Sequence, residues 1–144
     1  MNILKMTVGL PRSGKSTWAK QQNIPIVNPD SIRLALHGQR FLPEAESMVW
    51  AIAKYMVKSL FLAGHNTVIL DATNITKSRR DAWKSKDWVR SFVVFDVSKE
   101  ECLKRAQNDC EILPIIEKMA LEHQWPQDNE LTEKEYNFLY DLKV

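Results

Sequence analysis

One nine-residue stretch near the amino terminus, GLPRSGKST, restricts the fold of this chain more than any other feature. Residues 9–16 match the pattern G-x-x-x-x-G-K-[ST] in full. The apolar run Ile3–Val8 before them predicts a buried strand, and Gly14–Gln22 predicts a helix after them. A glycine-rich turn between a strand and a helix lets backbone N–H groups surround a phosphate. The stretch therefore predicts an α/β fold with a phosphate-binding loop.

The residue types in this loop predict nucleotide binding. Gly9 and Gly14 permit backbone angles that direct N–H groups toward one point. Lys15 is expected to reach the β and γ phosphates of ATP, and the Ser16 hydroxyl to ligate Mg²⁺. A chance match in an ordinary glycine turn has a probability below about 1% in a chain of this length. The predicted nucleotide-binding residues of the loop are Gly9, Pro11, Arg12, Ser13, Gly14, Lys15, Ser16 and Thr17.

Composition favours a single globular domain over residues 1–144, with 44% hydrophobic and 26% charged residues. The formal net charge of +2 neither requires nor excludes a polyanionic partner. Cys102 and Cys110 lack metal-type spacing, which indicates reduced thiols of an intracellular protein. The hydrophobic start runs into the loop without a cleavage site, and no apolar run is long enough to cross a bilayer. We expect a cytoplasmic protein with no membrane partner.

Predicted strands and helices alternate along the chain. Further strands are predicted at 24–27, 67–70, 89–97 and, within the final segment, 137–144. Further helices are predicted after Asp30, over 43–63, over 77–84, after Ser98 and after Pro114. Strands separated by helices imply crossover connections and a mostly parallel sheet of about five strands, covered on both faces. This is the three-layer architecture of P-loop NTPases and nucleoside kinases.

The helix predicted over 43–63 is the longest in the chain, and Gly64 is expected to end it. Its apolar residues recur at the spacing typical of a helix. These residues are Met48, Ile52, Tyr55, Met56, Leu60 and Ala63. Trp50, in the same helix, is expected in the core.

Asp30 and Arg33 are the first candidate acceptor-site residues. A kinase needs a carboxylate that takes the proton of the acceptor hydroxyl, and usually a cation that fixes the acceptor. Asp30, at the head of a helix after the second strand, suits the first role, and Arg33 lies on the same helical face. The alternative is that Asp30 only caps the helix and Arg33 is solvated, and the spacing alone does not decide between them.

The loop after the third strand carries a second candidate group. Asp71 ends the strand TVILD and is predicted to orient Mg²⁺ or its waters, the alternative being a simple turn residue. Thr73 and Asn74 offer a hydroxyl and an amide for a bound phosphate or base. Two adjacent arginines, Arg79 and Arg80, begin the next helix, and such pairs more often form a solvated face.

Four sequence blocks together resemble the kinase domain of bacteriophage polynucleotide kinase–phosphatase and related small AAA-type P-loop kinases. The blocks are GLPRSGKSTWAK, VNPDSIR, DATNITKSRRDAW and VVFDVSKEECLKR, and they span nearly the whole chain in this order. The resemblance implies that Asp30 is the general base for a 5′-hydroxyl. It implies that Arg33 and Thr73 hold the neighbouring phosphate and that Arg105 contacts the nucleotide. Asp71 corresponds only loosely, because the family's aspartate directly precedes TN.

The chain departs from this family at two places. The family has a second arginine one helical turn beyond the Arg105 match, where this chain has Asp109 or its neighbours. Relatives commonly have glycine where this chain has Arg12, so we hypothesise that Arg12 supplies the missing positive charge; otherwise Arg12 points to water or to nucleic acid. We also expect no phosphatase domain within residues 1–144, which leaves room for a separate ligase or phosphatase partner.

The favoured interpretation is an ATP- and Mg²⁺-dependent kinase that transfers the γ-phosphate to the 5′-hydroxyl of a nucleic acid during end repair. One alternative is a P-loop kinase acting on a nucleoside, sugar or antibiotic, which the weak net charge favours. Another is a catalytically weakened ATP-binding regulatory module, which the absence of the second arginine favours.

Overall fold

The computed structural model describes residues 1–127, residue 130 and, by backbone alone, residues 136–140. The strands are β1 (Ile3–Val8), β2 (Ile26–Val27), β3 (Thr67–Leu70), β4 (Val89–Phe95) and β5 (Tyr136–Tyr140). They form one parallel sheet in the order β2-β3-β1-β4-β5. The predicted α/β class and the sheet of about five strands are confirmed, and the last strand begins one residue before the predicted segment.

Helices connect these strands. They are α1 (Lys15–Lys20), α2 (Pro29–His37), α3 (Glu46–Leu62), α4 (Lys77–Asp81), α5 (Lys99–Arg105) and α6 (Leu113–Glu122), with a 3₁₀ turn at Pro43–Ala45. Ser98 caps α5 by accepting a hydrogen bond from the Glu101 N–H, as predicted. Gly64 follows α3 with a φ of 104°, a left-handed conformation that suits a residue just past a helix end. Among the described residues, no helix is both long and apolar enough to cross a membrane.

The central strand β1 positions the phosphate-binding loop. It pairs with β3 on one side and β4 on the other, so that Ile3 lies opposite both Thr67 and Val89. Leu4, Met6 and Val8 are fully buried, and each such side chain contributes roughly 1.5–3 kcal/mol by leaving water. The loop therefore follows a strand that is paired on both sides and has buried side chains.

Two helical layers cover the sheet. Leu4, Met6 and Val8 face α2 and α3, whose buried residues belong to the same cluster. The opposite face packs against α1 through a second cluster of buried residues: Trp18, Ala19, Ile69, Val93 and Phe95. A third cluster joins Leu10 of the loop to α5 and α6. The predicted three-layer arrangement is confirmed, and the third cluster brings the end of α5 next to the loop.

The buried face of α3 is narrow. The fully buried residues are Val49, Ala53 and Val57, at four-residue spacing. Met48 and Tyr55, two of the apolar residues that indicated the helix, are 60% and 72% exposed. Because α3 carries apolar residues on more than one side, the helical period does not define which side is buried.

Two further expectations are corrected near the strand ends. Asp30 does not cap α2, because the Asn28 side chain accepts from the N–H groups of Asp30 and Ser31 at 2.8 and 3.3 Å. Arg80 is not on a solvated face. It is fully buried, and its guanidinium donates two hydrogen bonds to the carboxylate of Glu130 at 2.9 and 2.8 Å.

Candidate functional site

The loop between β1 and α1 is tightly built around its first glycine. A Cβ atom on Gly9 would lie 2.8 Å from Ser13 Oγ and 3.0 Å from the backbone oxygen of Phe95, which leaves no room for a side chain. The Gly9 N–H donates to the Thr73 carbonyl at 3.0 Å. Gly14 has a φ of 100° and begins α1 without a side-chain cap. The loop is therefore held against the ends of β3 and β4.

Lys15 lies inside the loop. Its Nζ donates to the Leu10 carbonyl at 2.6 Å and to Ser13 Oγ at 3.3 Å, and the residue is only 8% exposed. Burial lowers the pKa of Lys15 from 10.5 to about 8, against the opposing effect of the Asp71 carboxylate. An anion bound in the loop would stabilise the charged form of this buried ammonium. The contact of Lys15 with nucleotide phosphates stays a prediction.

Ser16 and Asp71 lie together, as a metal site requires. The Ser16 hydroxyl donates to Asp71 Oδ2 at 2.7 Å, and the Asn28 amide donates to the same oxygen at 3.1 Å. Within the described part of the chain, no cluster of three or more metal-binding side chains occurs. Mg²⁺ does not require one, since it usually takes one or two protein oxygens together with substrate phosphates and waters. The hydroxyl and carboxylate present here fit that donor set.

Asn28 is a site residue that the sequence analysis missed. It caps α2 and at the same time orients Asp71, so it links the acceptor-side helix to the candidate metal site. A signal was present in the sequence, because asparagine followed by proline is a common start of a helix.

Arg12 is ion-paired with Asp109, the position at which the family resemblance leads one to expect an arginine. The Arg12 Nη2 to Asp109 Oδ2 distance is 2.9 Å, and the Arg12 side chain is 45% exposed. Arg40, which the sequence analysis did not single out, donates to both oxygens of the same carboxylate at 3.0 and 2.7 Å. The hydrogen bond from Arg40 is the main reason that the pKa of Asp109 falls to about 2.

Arg105 contacts the backbone of the phosphate-binding loop. Its Nη1 donates to the Arg12 carbonyl at 3.0 Å, and its Nε donates to Glu101 at 3.1 Å. Arg12 has a φ of 67°, which is uncommon for a residue with a side chain. Arg105 thus contacts the backbone of the residue with the unusual conformation, and its contact with the nucleotide stays a prediction.

Asp30 and Arg33 lie side by side on α2. Arg33 Nη1 donates to Asp30 Oδ1 at 2.7 Å, and the Asp30 side chain is 77% exposed. Glu46, at the start of α3, holds the same guanidinium through bonds of 2.9 Å from Nε and 2.6 Å from Nη2. The hydrogen bond to Glu46 is the largest cause of the raised pKa of Arg33. Arg33 is therefore fixed in orientation, and the solvated alternative does not describe it.

Thr73 and Asn74 have different surroundings although they are adjacent. Thr73 is half-buried at the end of the β3 loop. Asn74 is 1% exposed, has a φ of 43°, and donates from Nδ2 to the Thr7 carbonyl at 2.8 Å. Asn74 therefore fastens the loop to β1, and its placement in the interior does not support the predicted contact with a substrate.

A cavity of about 570 Å³ opens beside the candidate metal site. Its lining includes the polar residues Ser16, Asn28 and Asp71 and apolar residues of α2 and α3, among them Ile32 and Ile52. This volume is within the usual range for small-molecule sites.

A family model described as an AAA domain matches residues 4–108. The chain belongs to this family. The match covers β1, the phosphate-binding loop and the elements through α5.

Solved structures place this AAA domain among the P-loop kinases. A chain of the Pnkp1/Rnl/Hen1 complex is 34% identical over 72% of this chain and 38% of its own length, with a TM-score of 0.64. A chain of the Pnkp1/Rnl/Hen1 RNA repair complex is 25% identical over 92% of this chain and 42% of its own, also with a TM-score of 0.64. The present chain thus spans about two fifths of these relatives.

Small-molecule kinases share the fold. A sugar kinase from Janibacter is 16% identical over 98% of this chain and 86% of its own, with a TM-score of 0.66. A gluconokinase from Sinorhizobium meliloti is 15% identical over 97% of this chain and 81% of its own, with a TM-score of 0.59. The chain is a P-loop kinase-type domain, and the resemblance drawn from its sequence blocks is confirmed.

Proposed function

We propose that this chain transfers the γ-phosphate of ATP to the 5′-hydroxyl of a nucleic acid. The observation that carries the proposal is the pair formed by Asp30 and Arg33. An exposed carboxylate and a fixed guanidinium lie 2.7 Å apart on α2, the helix that Asn28 ties to the candidate metal site. The 34% identity to a chain of the Pnkp1/Rnl/Hen1 complex supports a nucleic-acid acceptor.

In this proposal each side chain has one task. Asp30 accepts the proton of the acceptor hydroxyl while the oxygen of that hydroxyl forms a bond to the γ-phosphorus. At the same time the bond between the γ-phosphorus and the oxygen that bridges it to the β-phosphorus breaks, and ADP leaves. Lys15 offsets negative charge on the transferred group, and Arg33 with Thr73 aligns the acceptor. Mg²⁺ held by Ser16 and Asp71 would supply further positive charge at the phosphate oxygens.

The proposal also covers the domain content of residues 1–144 and the partner protein. We treat residues 1–144 as one kinase domain, which the family match over residues 4–108 supports. Because two similar chains occur in complexes with Rnl and Hen1, we include a separate partner protein, such as a ligase or a phosphatase, for the other steps of end repair.

The test is transfer of radiolabel from γ-labelled ATP to RNA and DNA oligonucleotides with 5′-hydroxyl ends, compared with nucleosides and sugars. We expect labelled oligonucleotides, and we expect Asp30→Asn to reduce turnover by about 10²–10⁴-fold through loss of the base. Asp96→Asn is the matched control, because Asp96 is an exposed aspartate that directly follows β4. Label that reaches only small molecules would contradict the nucleic-acid acceptor.

A small-molecule kinase is the second candidate, and the cavity beside Asp71 is the observation that favours it. Ala35 lines this cavity, so Ala35→Leu reduces its volume without removing a polar group. If the acceptor is a small molecule bound there, this variant raises its KM strongly. Unchanged transfer to oligonucleotides by Ala35→Leu would support the first candidate.

A further inference from the structure

Arg79 on α4 lies over the indole ring of Trp50 on α3. Its Cζ is 4.1 Å from the ring centroid, and the Cζ of Arg33 is 5.9 Å from the same ring. The two guanidinium groups are therefore at most about 10 Å apart. Trp50 thus connects Arg79 to the acceptor-side pair of Asp30 and Arg33.

Trp50 is a rigid support for this arginine. Its ring meets that of Trp83 edge-on, with centroids 6.3 Å apart, and Trp83 is only 1% exposed. The Arg79 backbone is also fixed, because its N–H donates to the Thr76 side chain that caps α4. A side chain stacked on a fixed ring loses little further freedom when it binds a ligand.

Arg79 differs from its neighbours because, among the described residues, no carboxylate lies within ion-pairing distance of its guanidinium. Arg33 is bound by two carboxylates and Arg80 by Glu130. The Arg79 side chain makes no ion pair and no side-chain hydrogen bond to any residue in the described part of the chain, and it is exposed. Partial burial lowers the pKa of Arg79, but an arginine side chain stays protonated at neutral pH.

The residues around Arg33 carry too much negative charge to bind an acceptor phosphate without an additional cation. Arg33 contributes one positive charge, whereas Asp30 and Glu46, both within hydrogen-bonding distance of it, contribute two negative charges. The three residues together carry one negative charge, which repels an acceptor phosphate. Arg79 brings the sum to zero.

We propose that Arg79, held on Trp50, binds the first phosphate that follows the 5′-terminal nucleoside of the acceptor. This inference rests on the proposed function and adds Arg79 to the residues that hold the acceptor, because the family resemblance assigns this phosphate only to Arg33 and Thr73. A nucleoside 3′-phosphate is the smallest acceptor that carries this phosphate, so it serves as a probe of the contact. Arg33 and Arg79 then form a two-arginine site, with Arg33 oriented by Glu46 and Arg79 by Trp50.

The test compares KM and kcat for three acceptors: a 5′-hydroxyl oligonucleotide, a nucleoside 3′-phosphate and a nucleoside without phosphate. We expect Arg79→Gln to raise KM for the first two by roughly tenfold, as loss of a charge-assisted contact would. We expect kcat for these two acceptors to change little, and we expect KM for the plain nucleoside, which lacks the phosphate, to change less than KM for the nucleoside 3′-phosphate. Arg79→Lys should recover part of the loss because it keeps the charge.

The matched control is Lys58→Gln. Lys58 is exposed on the same helix as Trp50, eight residues further on, or about 12 Å along the axis, so this variant removes one charge away from the site. Arg79→Gln, unlike the control, should also reduce the slope of log KM against log salt concentration by roughly 0.7–0.9. A purely structural role for Arg79 would not change that slope.

The outcomes separate this inference from the proposed function. If the wild-type protein phosphorylates oligonucleotides while Arg79→Gln leaves KM and the salt slope unchanged, the inference is wrong and the proposed function stands. If the wild-type protein transfers no label, the proposed function fails, and equilibrium binding of the 5′-hydroxyl oligonucleotide decides the inference. Weaker binding by Arg79→Gln than by Lys58→Gln supports it, and equal binding overturns it.

Discussion

Arg12 and Asp109 are 97 positions apart in the sequence and form an ion pair with 2.9 Å between Nη2 and Oδ2. The same carboxylate binds Arg40, so one aspartate joins the phosphate-binding loop, the segment after α2 and the segment after α5. The left-handed backbone of Arg12 is held at its carbonyl by Arg105 and at its side chain by Asp109. The position of Arg12 is thus determined by contacts from both sides.

Arg12→Gly separates a catalytic role from a structural one. Glycine adopts a φ of 67° without steric cost. It also gives the unfolded chain more conformational freedom, so we expect the free energy of unfolding to change by less than about 1 kcal/mol. If Arg12 supplies charge to the transferred phosphate, turnover falls by about 10³-fold. Denaturant unfolding and kcat measured on the same sample check both effects.

Asp109→Asn is the companion variant for Arg12. It breaks the ion pair but keeps the arginine, and we expect turnover to be retained, since the released guanidinium is free to reach the nucleotide. Unchanged turnover in Arg12→Gly would contradict the charge-supply hypothesis, whatever the result for Asp109→Asn.

Asn28→Ser tests the link between α2 and the candidate metal site. Serine still caps the helix but lacks the amide that donates to Asp71 Oδ2. We expect the Mg²⁺ concentration for half-maximal activity to rise roughly 10–100-fold, as for other residues that orient a metal ligand. Titration of activity with Mg²⁺ after removal of metal by a chelator measures this.

Asn28→Ala serves as the comparison, because it loses both the cap and the contact to Asp71. We expect it to show the same Mg²⁺ requirement as Asn28→Ser and an additional loss of about 1 kcal/mol in the free energy of unfolding. A wild-type Mg²⁺ requirement in Asn28→Ser would mean that Asn28 acts only as a helix cap.

The lowered pKa of Lys15 predicts that ATP binding depends on pH. Its pKa is about 8 in the free protein, and bound phosphates favour the charged form, so ATP binding takes up a proton above that pH. We expect affinity to fall by up to tenfold per pH unit above about pH 8. Calorimetry at pH 8.5 in buffers of different ionisation enthalpy measures the proton uptake, which Lys15→Met should abolish.

The same lysine affects stability without nucleotide. Between pH of about 8 and 10.5, the unfolded chain binds the Lys15 proton more tightly than the folded chain, so the free energy of unfolding should rise with pH in this window. Lys15→Met should remove that contribution from the pH profile.

Glu130→Gln tests the buried pair with Arg80. Both side chains are at most 2% exposed, and the variant leaves the arginine charge without its partner. We expect the free energy of unfolding to fall by about 3–5 kcal/mol, measured by urea denaturation. The double variant Arg80→Met, Glu130→Met should lose less than the single one.

Lys118→Gln is the control for that pair. It removes a cation whose side chain is 75% exposed and 4.0 Å from Glu122, so it should change stability little. An equally small effect of Glu130→Gln would show that the buried charge is compensated in another way.

The sequence predicted the elements that have strong local signals. The run Ile3–Val8, the glycine pattern of the loop and the Ser98 cap each depend on residues close together in the chain, and the structure has them at those positions. Contacts between distant residues have no such signal. Asn28 and Asp71 are 43 positions apart, and Arg40 and Asp109 are 69 apart. Arg79 and Arg80 show this limit of prediction from sequence: they are adjacent, but Arg79 stacks on the Trp50 ring and Arg80 is buried.

The central place of β1 has a consequence for how the protein is made. Gly9 leaves the ribosome early, but the carbonyl that holds its N–H belongs to Thr73, and the contacts that fix Arg12 belong to Arg105 and Asp109. At about 5–20 residues per second, roughly 5 to 20 s separate synthesis of the loop from synthesis of Asp109. A nascent chain therefore carries the complete loop motif well before it has the contacts that shape it.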